Sequence, residues 1–312
     1  MGRVVLAVLF VACLCIGAAS AGGLARSAPA RDRPSLEAYS GLGAWISIYD
    51  KRSWSDPEQA VETLAEHGVH TLFLETSNYR QRQAIVRPDV VGAFIEAAHD
   101  RNIDVVAWYL PSLADTARDL RRSIAAVEFV TADGDDSFDS FALDIEATLV
   151  RSIARRNALT LRLASQLRAA VPEDYPVGAI TIAPVGASPT YWPTFPFRGL
   201  SLVADVFLPM AYFTARTRGA AGVRAYTAAN VRLIRSEVRD PAFPVHPIGG
   251  LTPRASGSEV RAFVRAAGAC GALGGGLWEF EQTTAAEWAE LAPLTEQPSA
   301  AARAEAAPAS AC

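Results

Sequence analysis

Eight short apolar runs divide the sequence, and most of them are separated by stretches with helical periodicity. Strands that alternate with helices form parallel sheets, which predicts the α/β class. Eight such units in about 250 residues predict a closed (β/α)8 TIM barrel rather than an open doubly wound sheet. No glycine-rich dinucleotide fingerprint follows the first run, which also disfavours the open sheet. The predicted strands lie within residues 44–49, 69–75, 104–110, 141–146, 177–183, 203–212, 245–251 and 272–280.

Several helices between these runs have recognisable starts. Asp56 followed by Pro57 predicts a capped start for the first long helix, and Gly68 predicts its end. Pro88 and Ser258 predict the starts of the second and seventh helices. These signals support the strand–helix alternation.

The fifth βα unit departs from the pattern. Residues 184–196 are rich in proline and have no helical period, so we predict an irregular loop on the carboxyl-terminal face of the barrel. This loop would bring Tyr191 and Trp192 to a substrate. We expect a single barrel domain over residues 41–292.

The two ends of the chain differ from the barrel in composition. A basic residue, an apolar run and a group of small residues predict a secretory signal peptide over residues 1–21. The apolar run is shorter than the roughly 20 residues that a membrane-spanning helix needs. We therefore expect a secreted or cell-surface-associated protein whose mature chain has no membrane span. Residues 22–40 predict a linker, and the Ala- and Pro-rich residues 293–312 predict a disordered tail.

Composition excludes several functions. The net charge of −4 is spread along 312 residues without a basic block, so we predict no nucleic-acid partner. Lys51 is the only lysine, which disfavours Schiff-base and pyridoxal chemistry. The histidines and cysteines do not group with metal-ligand spacing, so we predict no metal and no cofactor, in a protein that we expect to be a monomer. Cys270 and Cys312 either form a disulfide, as exported chains allow, or remain a buried thiol and a thiol on a loose tail.

The fourth run contains the most informative residues. In a strand over residues 141–146, Ala142, Asp144 and Glu146 share one face because side chains alternate with period two. On a half-buried strand this face would meet solvent. In a parallel barrel, whose strands are covered on both sides, the two acids would point inward at the carboxyl-terminal mouth, where the active sites of this fold lie.

The other strand ends are also aromatic and acidic. Aromatic faces beside carboxylates suit sugar rings, which stack on a π-face while their hydroxyl groups bond to acids. Glu75 has an alternative role, because it could pair with an arginine such as Arg80, Arg82 or Arg151. The predicted mouth residues are Tyr49, Asp50, Glu75, Trp108, Tyr109, Asp144, Glu146, Tyr212 and Trp278 to Glu281.

Three strands resemble those of the family 18 chitinases. Asp139, Asp144 and Glu146 resemble three of the four acids in the Asp-x-x-Asp-x-Asp-x-Glu motif of strand four. Met210 to Tyr212 is similar to the Met-x-Tyr segment of strand six, and Trp278 resembles the sugar-platform tryptophan of strand eight.

The resemblance implies a secreted glycoside hydrolase that acts on a β-linked, N-acetylated polysaccharide. Glu146 would protonate the glycosidic oxygen, Asp144 would orient and polarise the N-acetyl group, and Tyr212 would bond to the same acetamide. A second carboxylate is not needed where the substrate amide attacks. The implied substrate-binding residues are Tyr49, Glu75, Trp108, Tyr191, Trp192, Met210 and Trp278.

The sequence also departs from that family. Ala142 replaces the second acid of the motif, which removes a buried partner that would share the proton of Asp144. Strand three lacks the family's Ser-x-Gly-Gly, Ser140 replaces a glycine, and family 25 lysozymes also have an Asp-x-Glu on a barrel strand. The alternative function is therefore a non-catalytic carbohydrate-binding barrel derived from such an enzyme.

Two other barrel functions are disfavoured. The first is a phosphate-binding barrel enzyme. Glycines at 249–250 and 274–276 would suit a phosphate site on strands seven and eight, but they would equally suit close packing of the strands. Enzymes with catalytic glutamates on strands four and seven are disfavoured because strand seven ends without an acid.

Overall fold

The computed structural model describes residues 34–186, 188–252, 254–296 and 312. The predicted signal peptide, the first part of the predicted linker and residues 297–311 of the predicted tail lie outside the described residues. Among the described residues, no helix combines the length and the apolar character needed to cross a membrane.

Eight parallel strands form a closed barrel in which each strand pairs with the next along the chain and the last pairs with the first. The predicted (β/α)8 TIM barrel is therefore confirmed, and each strand falls within or overlaps its predicted run. The strands are β1 (Gly41–Ile46), β2 (Thr71–Asn78), β3 (Asp104–Leu110), β4 (Ser140–Asp144), β5 (Val177–Ile182), β6 (Val206–Met210), β7 (Ile248–Gly249) and β8 (Gly274–Leu277).

Helices cover the outside of the barrel, and several of them begin at a capping side chain. Asp56 accepts from the Gln59 N–H at the start of α2, as predicted. Ser256, not Ser258, caps α9, because it forms a capping box with Glu259. The helices are α1 (Lys51–Ser55), α2 (Pro57–Glu66), α3 (Pro88–His99), α4 (Thr116–Val127), α5 (Ile153–Ala170), α6 (Ser188–Tyr191), α7 (Phe197–Leu200), α8 (Gly219–Val238), α9 (Gly257–Ala269) and α10 (Ala285–Leu291).

The two faces of β4 divide as predicted. Phe141 and Leu143 lie in the core between the strands and the surrounding helices. Ala142 lies in the separate core inside the barrel, with Trp108 and Val106 of β3. Closure of the barrel thus places the alternate face of β4 inside the ring.

The start of the domain lies earlier than predicted. We assigned Tyr39 to the linker, but it is the last residue of a short 3-10 turn (Glu37–Tyr39) and its side chain is fully buried inside the barrel. Its hydroxyl donates to the Phe141 carbonyl over 3.1 Å and lies 2.6 Å from the Ser140 hydroxyl oxygen. Tyr39 therefore closes the amino-terminal end of the barrel, and residues 34–40 belong to the folded domain.

The glycines of β8 allow close approach to β1. A Cβ on Gly274 would overlap the Gly41 carbonyl, and a Cβ on Gly276 would overlap the Gly43 carbonyl. Backbone atoms cannot move aside as a flexible side chain can. Close packing of the strands therefore accounts for these glycines without a bound phosphate.

The fifth βα unit is irregular, as predicted, and has only the short helices α6 and α7 in place of one long helix. The predicted tail begins later than residue 293, because Leu294 is fully buried in a 3-10 turn. Cys312 forms a disulfide with Cys270, which settles the alternative left open by the sequence.

A Gly276→Ala substitution tests the contact between β8 and β1. We expect the free energy of unfolding to fall by about 1–3 kcal/mol, because the added methyl group forces two paired backbones apart. The matched control is Gly92→Ala in α3, where a Cβ would lie 3.8 Å from Thr131. The control should unfold at the same or slightly higher denaturant concentration, since alanine is the better helix former. Equal stability of wild type and Gly276→Ala in denaturant titrations would contradict this explanation.

Candidate active site

A cleft of about 170 Å³ opens at the carboxyl-terminal mouth of the barrel. Most of the predicted site residues line it, although they come from six different strands or the loops that follow them. Folding therefore brings together residues that are up to 229 positions apart in the sequence. The predicted residues that line the cleft are Tyr49, Glu75, Trp108, Asp144, Glu146, Met210, Tyr212 and Trp278.

Three tryptophans form the floor and one wall of the cleft. Trp108 and Trp278 meet edge to face with ring centroids 5.8 Å apart. Trp45 lies 6.3 Å from each of them and stacks on Phe73 at 4.1 Å, deeper in the barrel. The tryptophans limit the water around the acids and present an apolar surface to a bound molecule.

Asp144 and Glu146 enter this cleft together, as the strand-four pattern predicts. Asp144 is the last residue of β4, and Glu146 follows it by two residues on the same side. Asp144 is 6% exposed, and its Oδ1 has no hydrogen-bond partner among the described residues. Glu146 is half-buried, so it is the one of the two that remains more open to a substrate.

The buried acids favour their protonated forms. Burial is the largest cause that raises the pKa of Asp144 well above its ordinary value, and the charges of Glu146 and Glu75 raise it further. Burial also raises the pKa of Glu146, and the guanidinium of Arg80 at the rim offsets part of this rise. Protons are thus retained at the mouth of the barrel at a pH where exposed carboxyl groups are ionised.

Glu75 lies deeper and is 2% exposed. Its Oε2 accepts from the Ile48 N–H over 3.0 Å, and its Oε1 accepts from the Asn78 amide over 2.9 Å. Burial raises the pKa of Glu75 to about 7, although both hydrogen bonds oppose the rise. These two hydrogen bonds hold Glu75 in place in the cleft, and no ion pair joins it to Arg80, Arg82 or Arg151, all of which lie in the described part of the chain.

An irregularity in β2 brings Asn78 into the same cleft. The pairing register between β2 and β3 shifts between Glu75 and Ser77, which is the effect of a β-bulge. Regular alternation would place residues 75 and 77 on the inner face, whereas the bulge turns Asn78 inward instead of Ser77. Asn78 then donates to both Glu75 and the Tyr49 hydroxyl.

Tyr212 completes the polar lining of the cleft, and Glu279 follows Trp278 just beyond the lining residues. Burial and the nearby charges of Asp144 and Glu146 raise the pKa of the Tyr212 hydroxyl well above its ordinary value, so it remains a proton donor. Burial also raises the pKa of Glu279, which is half-buried. The peptide bond between Trp278 and Glu279 is cis.

The prediction that Trp192 binds the substrate is wrong. It is fully buried under the fifth unit, its indole N–H donates to Asn157 over 2.6 Å, and the Arg156 guanidinium lies 3.9 Å from its ring centroid. Tyr191 does not line the cleft either, but it lies beside it. The Tyr191 hydroxyl donates to the Glu146 carbonyl over 2.7 Å, and the side chain is 46% exposed.

Two other acids have structural roles. Asp139, the first acid of the motif resemblance, lies at the amino-terminal end of β4, where its Oδ2 accepts from the Val105 N–H over 2.7 Å and contacts His99. Asp50 caps α1 by accepting from the Ser53 N–H. Neither acid lines the cleft.

Several residues that line the cleft were not predicted from the sequence. Trp45 and Ser47 share the inner face of β1 by simple alternation, so this pattern could have identified them. Asn78 and Arg80 lie beyond the predicted end of β2, and the bulge that turns Asn78 inward has no signal in the sequence. Among the described residues, no group of three or more His, Cys, Asp and Glu could hold a metal ion.

Comparisons with solved structures identify the fold. An endo-β-1,4-mannanase from Thermotoga petrophila matches with a TM-score of 0.63 and 9% identity over 83% of this chain and 76% of its own. A chitinase from Chromobacterium violaceum matches with a TM-score of 0.60 and 12% identity over 83% and 100%. A GH18 chitinase from Cycas revoluta, in complex with (GlcNAc)4, matches with a TM-score of 0.59 and 10% identity over 82% and 98%.

No family model matches the sequence, and no curated protein matches it. The similarity to solved structures therefore rests on the shape of the backbone. The fold is a glycoside-hydrolase-like (β/α)8 barrel.

The raised pKa of Glu75 predicts a pH dependence of stability. Because the folded pKa of about 7 exceeds the ordinary 4.5, the stabilisation is complete below about pH 4.5 and is lost as the pH rises through 7. Between these pH values, the free energy of unfolding should fall by about 3 kcal/mol less in Glu75→Gln than in wild type. Urea titrations across this pH range measure it.

The control for this experiment is Glu66→Gln, which changes an exposed glutamate at the end of α2. It should leave the pH dependence as it is in the wild type. An identical pH dependence in Glu75→Gln and Glu66→Gln would show that Glu75 titrates as an exposed acid.

Proposed function

We propose that this protein is a secreted glycoside hydrolase that acts on a β-linked, N-acetylated polysaccharide by general acid catalysis. The observation that supports this proposal most strongly is the joint entry of Asp144 and Glu146 into a tryptophan-lined cleft at the mouth of the barrel. The predicted signal peptide over residues 1–21 supports action outside the cytoplasm.

Glu146 is the proton donor in this mechanism. A general acid must hold its proton near the working pH and must reach the leaving group. Burial raises the pKa of Glu146, and its half-exposed side chain lies above the buried Asp144. Glu146 therefore protonates the glycosidic oxygen as the bond to the anomeric carbon breaks.

The nucleophile is the substrate's own acetamide. Among the described residues that line the cleft there is no acid from β7, so a pair of carboxylates on strands four and seven is not formed there. The acetamide carbonyl oxygen attacks the anomeric carbon, Asp144 accepts a hydrogen bond from the acetamide N–H, and the Tyr212 hydroxyl donates to the carbonyl oxygen. Water then opens the cyclic intermediate, and Glu146 takes up the proton of that water.

The aromatic residues bind the sugar ring. Trp278 is half-exposed and presents its ring to the cleft, whereas Trp108 and Trp45 are almost fully buried beneath it. Tyr49 at the rim is 57% exposed. A pyranose ring that stacks on Trp278 would have its acetamide directed toward Asp144 and Tyr212, which is the arrangement that the mechanism requires.

A non-catalytic carbohydrate-binding barrel is the second candidate. Ala142 favours it, because this residue leaves Asp144 without a polar partner on its own strand. Both candidates place the sugar in the same cleft, and they differ in turnover.

Glu146→Gln distinguishes the two functions. We expect wild-type protein to hydrolyse chitin oligomers or peptidoglycan fragments, and we expect the substitution to lower kcat by about 10²–10⁴-fold, the usual contribution of a general acid. Product release measured by chromatography gives the rates. The exposed Glu66→Gln variant is the control and should retain full activity.

Binding without turnover in both wild type and Glu146→Gln would support the carbohydrate-binding barrel. Full activity in Glu146→Gln would remove this residue from the reaction.

Substrate assistance predicts a requirement for the acetamide. Oligomers of N-acetylglucosamine should be hydrolysed at least about 10²-fold faster than mannose or glucose oligomers of the same length. The mannose and glucose oligomers have no acetamide that can act as an internal nucleophile. Parallel assays at equal concentration measure the ratio. Equal rates on mannose oligomers would contradict substrate assistance and would require a nucleophile from the protein.

A further inference from the structure

Glu75 has no part in the mechanism above, although it is buried at the base of the same cleft. It is one of two acids of the cleft that are more than nine-tenths buried, and Asp144 is the other. Asp144 has a buried Oδ1 without a hydrogen-bond partner among the described residues. Leaving such an atom unpaired is costly, so a second group that shares a proton with it would stabilise the site.

The strand register shows where such a group can come from. Glu75 pairs with Trp108 across β2 and β3, and Trp108 pairs with Ala142 across β3 and β4. The inner position of β4 before Asp144 is therefore occupied by a methyl group. β4 offers no polar side chain at that position, and Glu75 of β2, which is level with Ala142 in the register, is the other buried carboxyl that lines the cleft.

The hydrogen bonds of Glu75 fix it without using all its capacity. Each carboxyl oxygen accepts one bond, from the Ile48 N–H or from the Asn78 amide. Each oxygen keeps a second lone pair that can hold a proton. The partners thus orient Glu75 and leave it able to titrate.

The surrounding charges disfavour two ionised acids. The groups that face Glu75 and Asp144 are the carboxyls of Glu146 and Glu279 and the hydroxyl of Tyr212. Among the described residues that line the cleft, only Arg80 has a full positive charge, and it is exposed at the rim. Two buried carboxyls with so little compensation cannot both ionise near neutral pH.

We propose that Glu75 is a positioning residue that shares one proton with Asp144, so that the two buried acids act as a single pair with one negative charge. When the acetamide N–H binds, the charge resides on Asp144, which accepts the hydrogen bond, and the proton resides on Glu75. The proton count of the pair does not change. The consequence for catalysis rests on the proposed function, whereas the pairing itself does not.

A double-mutant cycle tests the pairing without any substrate. The free energy of unfolding is measured from about pH 5 to pH 9 for wild type, Glu75→Gln, Asp144→Asn and the double variant. Interacting sites titrate in two macroscopic steps. In wild type, the midpoint of the second step should therefore lie at least about one pH unit above the midpoint of the single step in Glu75→Gln or in Asp144→Asn. Additive pH dependences would overturn the proposal.

The control is Glu66→Gln, which removes an exposed acid at the end of α2, outside the cleft. Its cycle with Asp144→Asn should therefore be additive. Coupling of equal size in both cycles would show a general charge effect in place of a specific pair, and would also overturn the proposal.

A second measurement leaves Glu75 unchanged, in case Glu75→Gln does not fold. Carboxyl-carbon NMR titration follows Glu75 in wild type and in Asp144→Asn. We expect the midpoint for Glu75 to fall by at least about one pH unit in Asp144→Asn, and an unchanged midpoint would contradict the pairing. If the pairing is present and chitin oligomers are not hydrolysed, the proposed function fails and the pairing stands.

Discussion

The cost of burying carboxyl groups with little positive charge nearby determines what the mouth of this barrel can do. Glu75, Asp144 and Glu146 are brought into a small cleft over tryptophan side chains, and Arg80 lines only its exposed rim. Water and countercharge, the two factors that normally ionise a carboxyl group, are both limited there. The pKa directions and the proposed acid chemistry follow from this single condition.

The barrel creates this condition through closure. A parallel strand covered on both sides has one face toward the helices and one toward the interior, so Asp144 has no route to bulk solvent except through the mouth. Tyr39 closes the opposite end, and Gly274 and Gly276 let β8 approach β1 closely enough to complete the ring. None of these three residues lines the cleft, but each one supports the enclosure that raises the pKa of the acids.

Much of the fold could be predicted from the sequence because the relevant signals are local. Strand–helix alternation identified all eight strands, and period-two alternation placed Asp144 on the inner face of β4.

Effects that depend on contacts between distant parts of the chain could not be predicted. Tyr39 lies in a segment with the composition of a linker, and only the barrel interior gives it a place to pack. Trp192 shows the reverse error, since a tryptophan in a proline-rich loop can be either a platform or, as here, a core residue. The inward turn of Asn78 depends on a bulge that β2 forms against β3.

The most direct test of the account is the protonation state of Glu146 in the free protein. Carboxyl-carbon NMR of the selectively labelled glutamate gives its titration midpoint in the absence of substrate. The account predicts a midpoint above 4.5, the ordinary value for glutamate, because burial disfavours the charged form. A midpoint at or below that value would show that solvent or Arg80 stabilises the carboxylate, and would contradict a proton donor at this position.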